Sequence, residues 1–507
     1  MKYDGLFLIF LIVYSSIVIL TFNFSSITSD EGTHLLLGLF YRDLIKFILT
    51  DGVSGMYDFS INYLITYPKL TIHYPPLYQT LVGITFIFSE SIYTARVITL
   101  LFSLGSMVFI YKIGKFLYDE KTGFLSTVFL GFSPPFFFLA RSVYPDSASF
   151  FFFFISIWFC LLAFKTNKKM YYILYGIVVA LGFLTKWTGI FSPLVMGIYL
   201  IFQKNPVNKK LASFKYLFIS GAVCLLLLSP YLILAYKLDI FPDLVLRSTI
   251  KAGYTEKDPQ INNLEGWTYY AKKIPVQLSV FVSLVAIPAL AYFSIKKGKN
   301  YELLLIWIVV VYLLFTLIPN KNVRYSLVIL PPFYFALVEV LRKFQREVSL
   351  AIIILLITTQ AYFSYILLDK FNEPIEKVAN YIFDKVNGNV GIISENNKFY
   401  SSAVMFYFAK NDEKRETQLF RPCLFDNKTT SETNNILREN NVEYLILVEN
   451  GDTRNNTYGF ENITLEKKFG SATVYRVNSF EKNDNPRCTY ICVLNGKICE
   501  KLIKGSQ

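Results

Sequence analysis

The stretch LFLIFLIVYSSIVILTF, residues 6–22, carries no charged side chain and is long enough to cross a lipid bilayer. It is followed by SITSDEGTH, residues 26–34, where two adjacent carboxylates, Asp30 and Glu31, come directly after the apolar run. The residues around them are good helix N-caps, and acids suit the first turn of a helix. The pair is therefore either a helix start or a chemical site, and the rest of the chain has to decide.

The composition of the whole chain matches its first segment. The 507 residues are 53% hydrophobic and 17% charged, and a soluble domain of this length cannot bury that much apolar surface. The net charge of +13 would suit a nucleic acid, but in a membrane protein Lys and Arg in cytoplasmic loops explain it first. We therefore expect a polytopic α-helical membrane protein with no nucleic-acid partner, in the plasma membrane or the endoplasmic reticulum.

Apolar segments of spanning length recur to about residue 368 and predict about eleven transmembrane helices. The predicted spans are 5–22, 92–111, 122–140, 147–164, 170–185, 187–203, 211–235, 276–295, 301–318, 325–341 and 348–368. With a cytoplasmic N-terminus, each of the five short inner loops carries at least three basic residues, as the positive-inside rule requires. This orientation needs residues 75–89 not to cross, and we expect a re-entrant or interfacial element there.

The same topology places several ionisable residues from separate stretches at the outer membrane face. These are Asp30, Glu31, His73, Arg141, Asp146, Lys186 and Arg324. Two long outer loops, 23–91 and 237–275, would cover them within a membrane module of residues 1–370. Each residue also has an ordinary explanation, since Asp146 can cap a helix and the cations can extend to the interface or set topology.

From residue 371 to residue 507 the composition changes to that of a small α/β domain, which eleven spans place outside the cell membrane. The patterns predict helices over 374–386 and 398–410 and strands over 389–394, 442–449 and 472–477. Three glycosylation sequons, at Asn427, Asn455 and Asn462, are weak support for this side. Cys423, Cys488, Cys492 and Cys499 have spacings that favour disulfides over zinc.

A set of motifs in order along the chain resembles a known family. It consists of the acidic pair after the first span, HYPPLYQ at 73–79, the long run at 95–147 that ends in ARSVYPDS, GFLTKWTGIF at 182–191 and PNKNVRYSLVILPP at 319–332. Together they resemble the GT-C membrane glycosyltransferases, within them the dolichyl-phosphate-mannose–protein mannosyltransferase superfamily that includes lipid A aminoarabinose transferases. The resemblance covers residues 1 to about 345, and the C-terminal domain resembles extracytoplasmic domains of such enzymes loosely.

The resemblance implies transfer of one sugar from a polyprenyl-phosphate or dolichyl-phosphate carrier to an extracytoplasmic protein, lipid or glycan. It implies that Asp30, or else Glu31, is the catalytic carboxylate. It also implies phosphate or substrate contacts for His73, Asp146, Lys186, Arg324 and Arg141. This chemistry needs a base for the acceptor hydroxyl and fixed positive charge for the lipid phosphate that leaves. A divalent metal is an open possibility, with His73 as one conceivable ligand.

Two other functions remain open from the sequence. An oligosaccharyltransferase-like enzyme would carry a WWD-type motif in its C-terminal domain, and residues 371–507 contain none. A transporter or lipid flippase with an extracytoplasmic cap is the alternative from another class. Transporters place ionisable residues near the middle of the membrane in broken helices, whereas here the predicted cluster lies at one face, which favours chemistry on a lipid headgroup.

Overall fold

The computed structural model of the chain describes most of the helical part and the framework of the C-terminal domain. The described residues are 2–24, 26–67, 74–202, 214–237, 258–368, 375–386, 389–394, 401–411, 419–420, 442–448, 463–469 and 472–478. His73, the four C-terminal cysteines, the three sequons and the basic residues of 238–257 lie outside them.

The described residues form eighteen α-helices. They are α1 Lys2–Leu20, α2 Ser29–Asp51, α3 Met56–Thr66, α4 Leu77–Phe88, α5 Ile92–Leu117, α6 Glu120–Gly131, α7 Pro134–Ala140, α8 Pro145–Thr166, α9 Lys169–Thr185, α10 Phe191–Phe202, α11 Phe214–Lys237, α12 Leu264–Leu278, α13 Val280–Ile295, α14 Tyr301–Leu317, α15 Leu330–Leu341, α16 Arg346–Leu368, α17 Ile375–Phe383 and α18 Ser401–Asn411. Short 3₁₀ turns at Phe22–Phe24, Trp187–Ile190 and Tyr325–Ile329 adjoin α1, α10 and α15.

Each of the eleven predicted spans coincides with a helix or with two consecutive helical segments, and the chain is a multi-pass membrane protein. In the described part, five helices are long and apolar enough to cross a bilayer, or seven if each of two bent pairs is one crossing. The pairs α6–α7 and α12–α13 bend by 75° and 117°. Several other predicted spans are short apolar helices, so the count of eleven crossings stays a prediction.

The stretch 23–91, expected as an outer loop, contains the three helices α2, α3 and α4. Helix α4 has 12 residues, and such a helix is about 18 Å long, against about 30 Å of hydrocarbon in a bilayer. A straight crossing by this segment is too short, which agrees with the expectation for residues 75–89. Helix α2 departs further from the structure that the sequence pattern predicted for this stretch. Its 23 residues are helical although they do not form a continuous apolar run.

The C-terminal domain contains a five-stranded mixed sheet of order β2-β1-β3-β5-β4. Its strands are β1 Asn389–Ser394, β2 Leu419–Phe420, β3 Val442–Val448, β4 Ile463–Phe469 and β5 Ala472–Val477. Strands β2, β1 and β3 are parallel, and β3, β5 and β4 are antiparallel. The sequence predicted β1, β3 and β5 together with helices α17 and α18. It missed β2, which is very short, and β4, whose ITLEKKF sequence is largely exposed and lacks a buried run.

The chain divides into two compact units. The first comprises Met1–Phe22, His73–Tyr78 and Arg96–Lys370, and the second comprises Asn23–Ile72, Gln79–Ala95 and Phe371–Gln507. One boundary between the units lies near residue 370, where the sequence analysis also placed a domain boundary. The second unit additionally contains most of the stretch 23–91. The helix that carries Asp30 and Glu31 therefore forms one body with the C-terminal domain.

The core of the first unit brings α8 against α14 and the turn that precedes α15. The Trp307 indole of α14 is fully buried and donates a 2.8 Å hydrogen bond to the Val328 carbonyl. Its rings pack on Phe153 and Phe154 of α8, with centroids 5.6 and 6.1 Å away. A buried aromatic group with a satisfied polar atom holds its neighbours in one arrangement. These contacts place the start of α8 near residues 324–329.

Helices α5 and α6 approach so closely that two glycines are required at the crossing. A Cβ at Gly123 would lie 2.5 Å from the Tyr111 carbonyl oxygen and 2.9 Å from the Lys115 nitrogen, and one at Gly114 would lie 2.6 Å from the Gly123 Cα. Small residues that let backbones approach are typical of helix interfaces in membranes.

We expect Gly123→Val to lower the stability of the first unit by about 1–3 kcal/mol or more, because added methyl groups in a packed interface force the backbone apart. The matched control is Gly221→Val in α11, where no atom lies within 4 Å of the added Cβ. Thermal unfolding of both variants in detergent measures the difference. Equal shifts for the two variants would contradict the close crossing.

Candidate functional site

Asp146 lies at the start of α8, where the sequence pattern SVYPDS predicts a helix N-terminus. Pro145 is the first residue of the helix, and Asp146 follows it in the first turn. A proline with its fixed φ starts a helix without loss of a hydrogen bond, and an acid there interacts well with the helix dipole. The Asp146 side chain is nevertheless only 2% exposed, and a carboxylate that is so buried requires cationic or hydrogen-bonding partners.

Lys186 is the first of these partners and lies at the turn between α9 and α10. The turn is tight, since a Cβ at Gly189 would lie 2.3 Å from the Gly182 carbonyl carbon. The Lys186 amide donates to the Gly182 carbonyl at 3.0 Å and ends α9. The Lys186 Nζ then donates a 2.7 Å hydrogen bond to Asp146 Oδ1.

Arg324 is the second partner and precedes the 3₁₀ turn Tyr325–Ile329. Its Nε lies 3.6 Å from Asp146 Oδ2, and its side chain is 18% exposed. The Arg324 guanidinium also lies over two aromatic rings, 4.8 Å from the centroid of Tyr144 and 5.4 Å from that of Tyr325. Cation–π contacts of this kind help to hold a guanidinium in place.

We call Asp146, Lys186 and Arg324 the ion cluster. The sequence analysis singled out all three residues, and the structure brings them together from α8, the α9–α10 turn and the segment before α15. Two cations and one carboxylate therefore meet at helix ends. Because the Lys186 contact is at hydrogen-bond length and the Arg324 contact is longer, Lys186 is the main partner of Asp146.

The sequence analysis did not give roles to the aromatic residues beside the ion cluster. The Lys186 Nζ lies 4.1 Å from the centroid of the Tyr325 ring, so Tyr325 contacts both cations. A narrow pocket is lined by Asp146, Lys186 and Tyr325 together with apolar side chains such as Phe150. The sequence did contain a signal for these aromatic residues. Tyr144 lies two residues before Asp146, and Tyr325 directly follows Arg324.

A second set of residues that the sequence analysis missed holds the segment that carries Arg324. The Gln277 side chain is fully buried, and its Nε2 donates to the Val323 carbonyl at 2.6 Å and to Ser326 Oγ at 2.7 Å. The Gln277 carbonyl accepts a 2.8 Å hydrogen bond from Ser133. The side-chain amide of Gln277, at the sharp bend between α12 and α13, therefore holds the residues on both sides of Arg324.

Lys321 holds the N-terminal end of the segment that carries Arg324. Its side chain is buried, and its Nζ donates to the Thr316 and Ile318 carbonyls at 2.7 and 3.1 Å. The Lys321 amide donates to Asp258 Oδ2 at 2.8 Å. Burial lowers the pKa of the Lys321 ammonium, and the Asp258 carboxylate raises it in part. A cation at the carbonyl end of α14 is favourable.

Arg141 does not make a described contact with the ion cluster. Its side chain is 1% exposed, and its guanidinium donates a hydrogen bond to the Thr21 carbonyl at the end of the first apolar segment. This contact ties the α7–α8 corner to the segment after α1. The predicted phosphate contact of Arg141 stays a prediction.

Asp30 and Glu31 lie in the first turn of α2, in the second unit. The helix begins with Thr28 as N-cap, and Thr28 Oγ1 accepts a 3.2 Å hydrogen bond from the Glu31 amide. Thr28 therefore supplies the cap, and neither acid is needed for that purpose. The two acids also differ, because Asp30 is exposed and Glu31 is 1% exposed.

One of the two histidines of the chain lies one helical turn after Asp30. His34 is buried, and its Nδ1 lies 3.3 Å from the Gln79 Nε2 amide, which accounts for it as a hydrogen-bonded group inside the second unit. The predicted role of His73 lies outside the described residues. Among the residues that the structure describes, no group of three or more His, Cys, Asp or Glu side chains could hold a metal ion.

Comparison with protein families gives one match, to the dolichyl-phosphate-mannose-protein mannosyltransferase family over residues 73–234. This confirms the resemblance predicted from the motifs. No curated protein sequence gives a significant match.

Solved structures with similar folds cover nearly the whole chain. The fold is similar to that of ArnT from Cupriavidus metallidurans in the apo state, with a TM-score of 0.66, 12% identity, and 95% of this chain and 100% of that chain covered. ArnT bound to undecaprenyl phosphate gives a TM-score of 0.63 at 12% identity, covering 95% and 99%. The Archaeoglobus fulgidus oligosaccharyltransferase AglB, solved with an inhibitory peptide and a dolichol-phosphate, gives 0.53 at 12% identity, covering 87% and 69%. At this identity the matches establish a GT-C fold.

We expect Asp146→Asn and Lys186→Gln each to destabilise the first unit, by up to about 3–5 kcal/mol, because each leaves a buried charge without its main partner. The double variant should lose less than the sum, with a coupling of about 0.5–3 kcal/mol. Thermal unfolding of the four proteins in detergent measures the cycle. Additive losses would show that the ion pair contributes nothing.

Proposed function

We propose that the protein transfers a sugar from a polyprenyl-phosphate-linked donor to an extracytoplasmic acceptor, which is a protein, a lipid or a glycan. The ion cluster carries this proposal. Three ionisable side chains, two of them cationic, converge at helix ends from separate segments of the chain. A lipid phosphate that leaves as a dianion needs such fixed charge. The similar fold of a transferase solved with undecaprenyl phosphate supports the same donor class.

Arg324 is the phosphate ligand in this proposal, and Lys186 is secondary. Lys186 is within hydrogen-bond length of Asp146, whereas the Arg324 guanidinium is held over two tyrosine rings and lies farther from the carboxylate. A guanidinium can donate two parallel hydrogen bonds to a phosphate, while an ammonium acts as a point charge. Gln277 and Lys321 keep the Arg324 backbone in position.

Asp30 is the general base in this proposal. The base has to meet an acceptor hydroxyl that arrives from outside, and Asp30 is exposed whereas Glu31 is buried. As the carboxylate takes the hydroxyl proton, the acceptor oxygen bonds to the anomeric carbon. The bond from that carbon to the phosphate oxygen breaks, and its electron pair stays on the polyprenyl phosphate. No nucleotide takes part.

The alternative of a transporter or flippase has one feature in its favour, the two sharply bent helix pairs, since transporters use broken helices at their sites. The position of the charges argues against it. Asp146 is in the first turn of α8, Lys186 follows the end of α9, and Arg324 precedes a 3₁₀ turn, so the cluster lies at helix ends and not at mid-helix breaks. Purified protein with polyprenyl-phosphate sugars and a cell-envelope acceptor fraction, followed by mass spectrometry, separates the two, since a flippase leaves the sugar–phosphate bond intact.

We expect Asp30→Asn to reduce transfer by about 10²–10⁴-fold, because an amide cannot accept the proton of the acceptor. Stability should change little, since Thr28 and not Asp30 caps the helix. Glu31→Gln is the matched control and should retain most activity. Loss of activity only in Glu31→Gln would move the base to Glu31, and full activity in both variants would remove this turn from the chemistry.

We expect Arg324→Ala to raise the KM for the donor and to lower kcat, and Arg324→Lys to restore only part of the loss, because an ammonium cannot replace the bidentate contact. The initial rate of transfer across a range of donor concentrations measures both constants. Arg342→Ala is the control, since Arg342 pairs with Asp119 and Glu339 elsewhere in the first unit. Unchanged kinetics in Arg324→Ala would make Arg324 an interfacial anchor.

A further inference from the structure

Helix α18 of the C-terminal domain lies against the first turns of α2. A Cβ at Gly32 would lie 2.5 Å from the Ala403 nitrogen, 2.6 Å from the Ala403 Cα and 2.8 Å from the Ser402 carbonyl carbon. Backbone atoms cannot move aside as a flexible side chain can, so only glycine fits at this position. Gly32 directly follows Glu31, and the two helices therefore touch next to the acidic pair.

A buried hydrogen bond fixes how α2 is turned at this contact. Thr33 Oγ1 donates to Ser402 Oγ at 3.0 Å, and the two residues are 9% and 0% exposed. Successive residues of an α-helix are turned by about 100°, so a bond at Thr33 sets the direction in which Asp30 points, three residues earlier. Rotation of α2 would break this buried hydrogen bond, which has an energetic cost.

The opposite contacts of α2 are equally close. A Cβ at Gly83 in α4 would lie 2.9 Å from the Gly38 carbonyl oxygen and 2.9 Å from the Arg42 nitrogen. The Arg42 guanidinium is buried and forms ion pairs with Asp43 and Glu90. Helix α2 is therefore held by both α4 and α18.

Helix α18 is itself part of the core of the C-terminal domain. Residues 402–409 are all buried, and the rings of Phe383 in α17 and Phe408 lie 5.7 Å apart in an edge-to-face arrangement. A helix that is buried in this way moves with its domain and does not adapt to a neighbour. The position of the α2 N-terminus thus depends on a domain that begins about 340 residues later in the chain.

We infer that the C-terminal domain is a positioning element for the reaction, and that the Thr33–Ser402 hydrogen bond and the Gly32 contact set the direction of the Asp30 carboxylate. This inference rests on the proposed function, because it takes Asp30 as the base. It assigns a role in turnover to the C-terminal domain, which itself carries none of the candidate site residues.

The experiment compares Thr33→Val, Thr33→Ser, Ser402→Ala and the double variant Thr33→Val/Ser402→Ala. Gly32→Ala is left out because its backbone clash can prevent folding. The control is Thr50→Val at the far end of α2, where the hydroxyl bonds only within its own segment. Transfer kinetics give kcat and the donor KM, and hydrogen–deuterium exchange reports the order of residues 29–34.

We expect kcat to fall by up to about 10²-fold in Thr33→Val and Ser402→Ala, since a small misplacement of a reacting group has an effect of that size. The donor KM should stay the same, and the double variant should resemble the single ones. Thr33→Ser, which keeps the hydroxyl, should retain kcat. Exchange at 29–34 should be faster in the first two variants and unchanged in Thr50→Val.

Unchanged exchange at 29–34 in Ser402→Ala overturns the inference, and so does faster exchange with an unaltered kcat. A fall in kcat that follows only the melting temperature, Thr50→Val included, also overturns it. Failure of the proposed function has a different signature. In that case Asp30→Asn and Glu31→Gln both remain active, while the exchange experiment still reports whether α18 holds the start of α2.

Discussion

The buried carboxylate of Asp146 is the constraint on which the arrangement of the first unit depends. At 2% exposure it cannot be charged without cations beside it. The chain supplies them from two turns that are far from α8 in sequence, and each turn is built for the purpose. The Lys186 turn needs glycine at position 189, and the Arg324 segment is held by the buried amide of Gln277. One charge thus fixes the mutual position of three chain segments.

The same ions give the proposed site its chemical character. A carboxylate alone would repel a lipid phosphate, and two cations alone would repel each other. Together they form a cluster whose two cations lie over the rings of Tyr144 and Tyr325. The stability of the unit and the proposed recognition of a phosphate therefore draw on the same side chains, so we expect substitutions in the ion cluster to affect both properties.

The acidic pair belongs to the other unit, and its environment is of a different kind. Thr28 caps α2, Gly32 and Thr33 contact α18, and the glycines of α2 and α4 pack against each other. Since α2 and α18 touch, the start of α2 packs with the C-terminal domain in one unit. The compact unit that contains the C-terminal domain thus also includes Asn23–Ile72 and Gln79–Ala95.

Much of this protein was readable from the sequence. Apolar runs and helical periodicity predicted helices at all eleven span positions, and alternating patterns predicted β1, β3 and β5, because these signals report the environment of each segment along its own length. Strand β4 escaped because most of its side chains are exposed. Helix α2 escaped because its glycines and charged residues interrupt the apolar pattern.

The sequence by itself determined that the chain is a membrane protein, where its apolar helices lie, and which ionisable residues stand near the ends of those helices. Only the tertiary structure decided that Lys186 and Arg324 share Asp146, that Arg141 binds the Thr21 carbonyl, and that the acidic turn packs on the C-terminal domain. The physical reason is that secondary structure depends on neighbours within a few residues. An ion pair or a helix contact depends on which distant segments meet, and local periodicity carries no record of that.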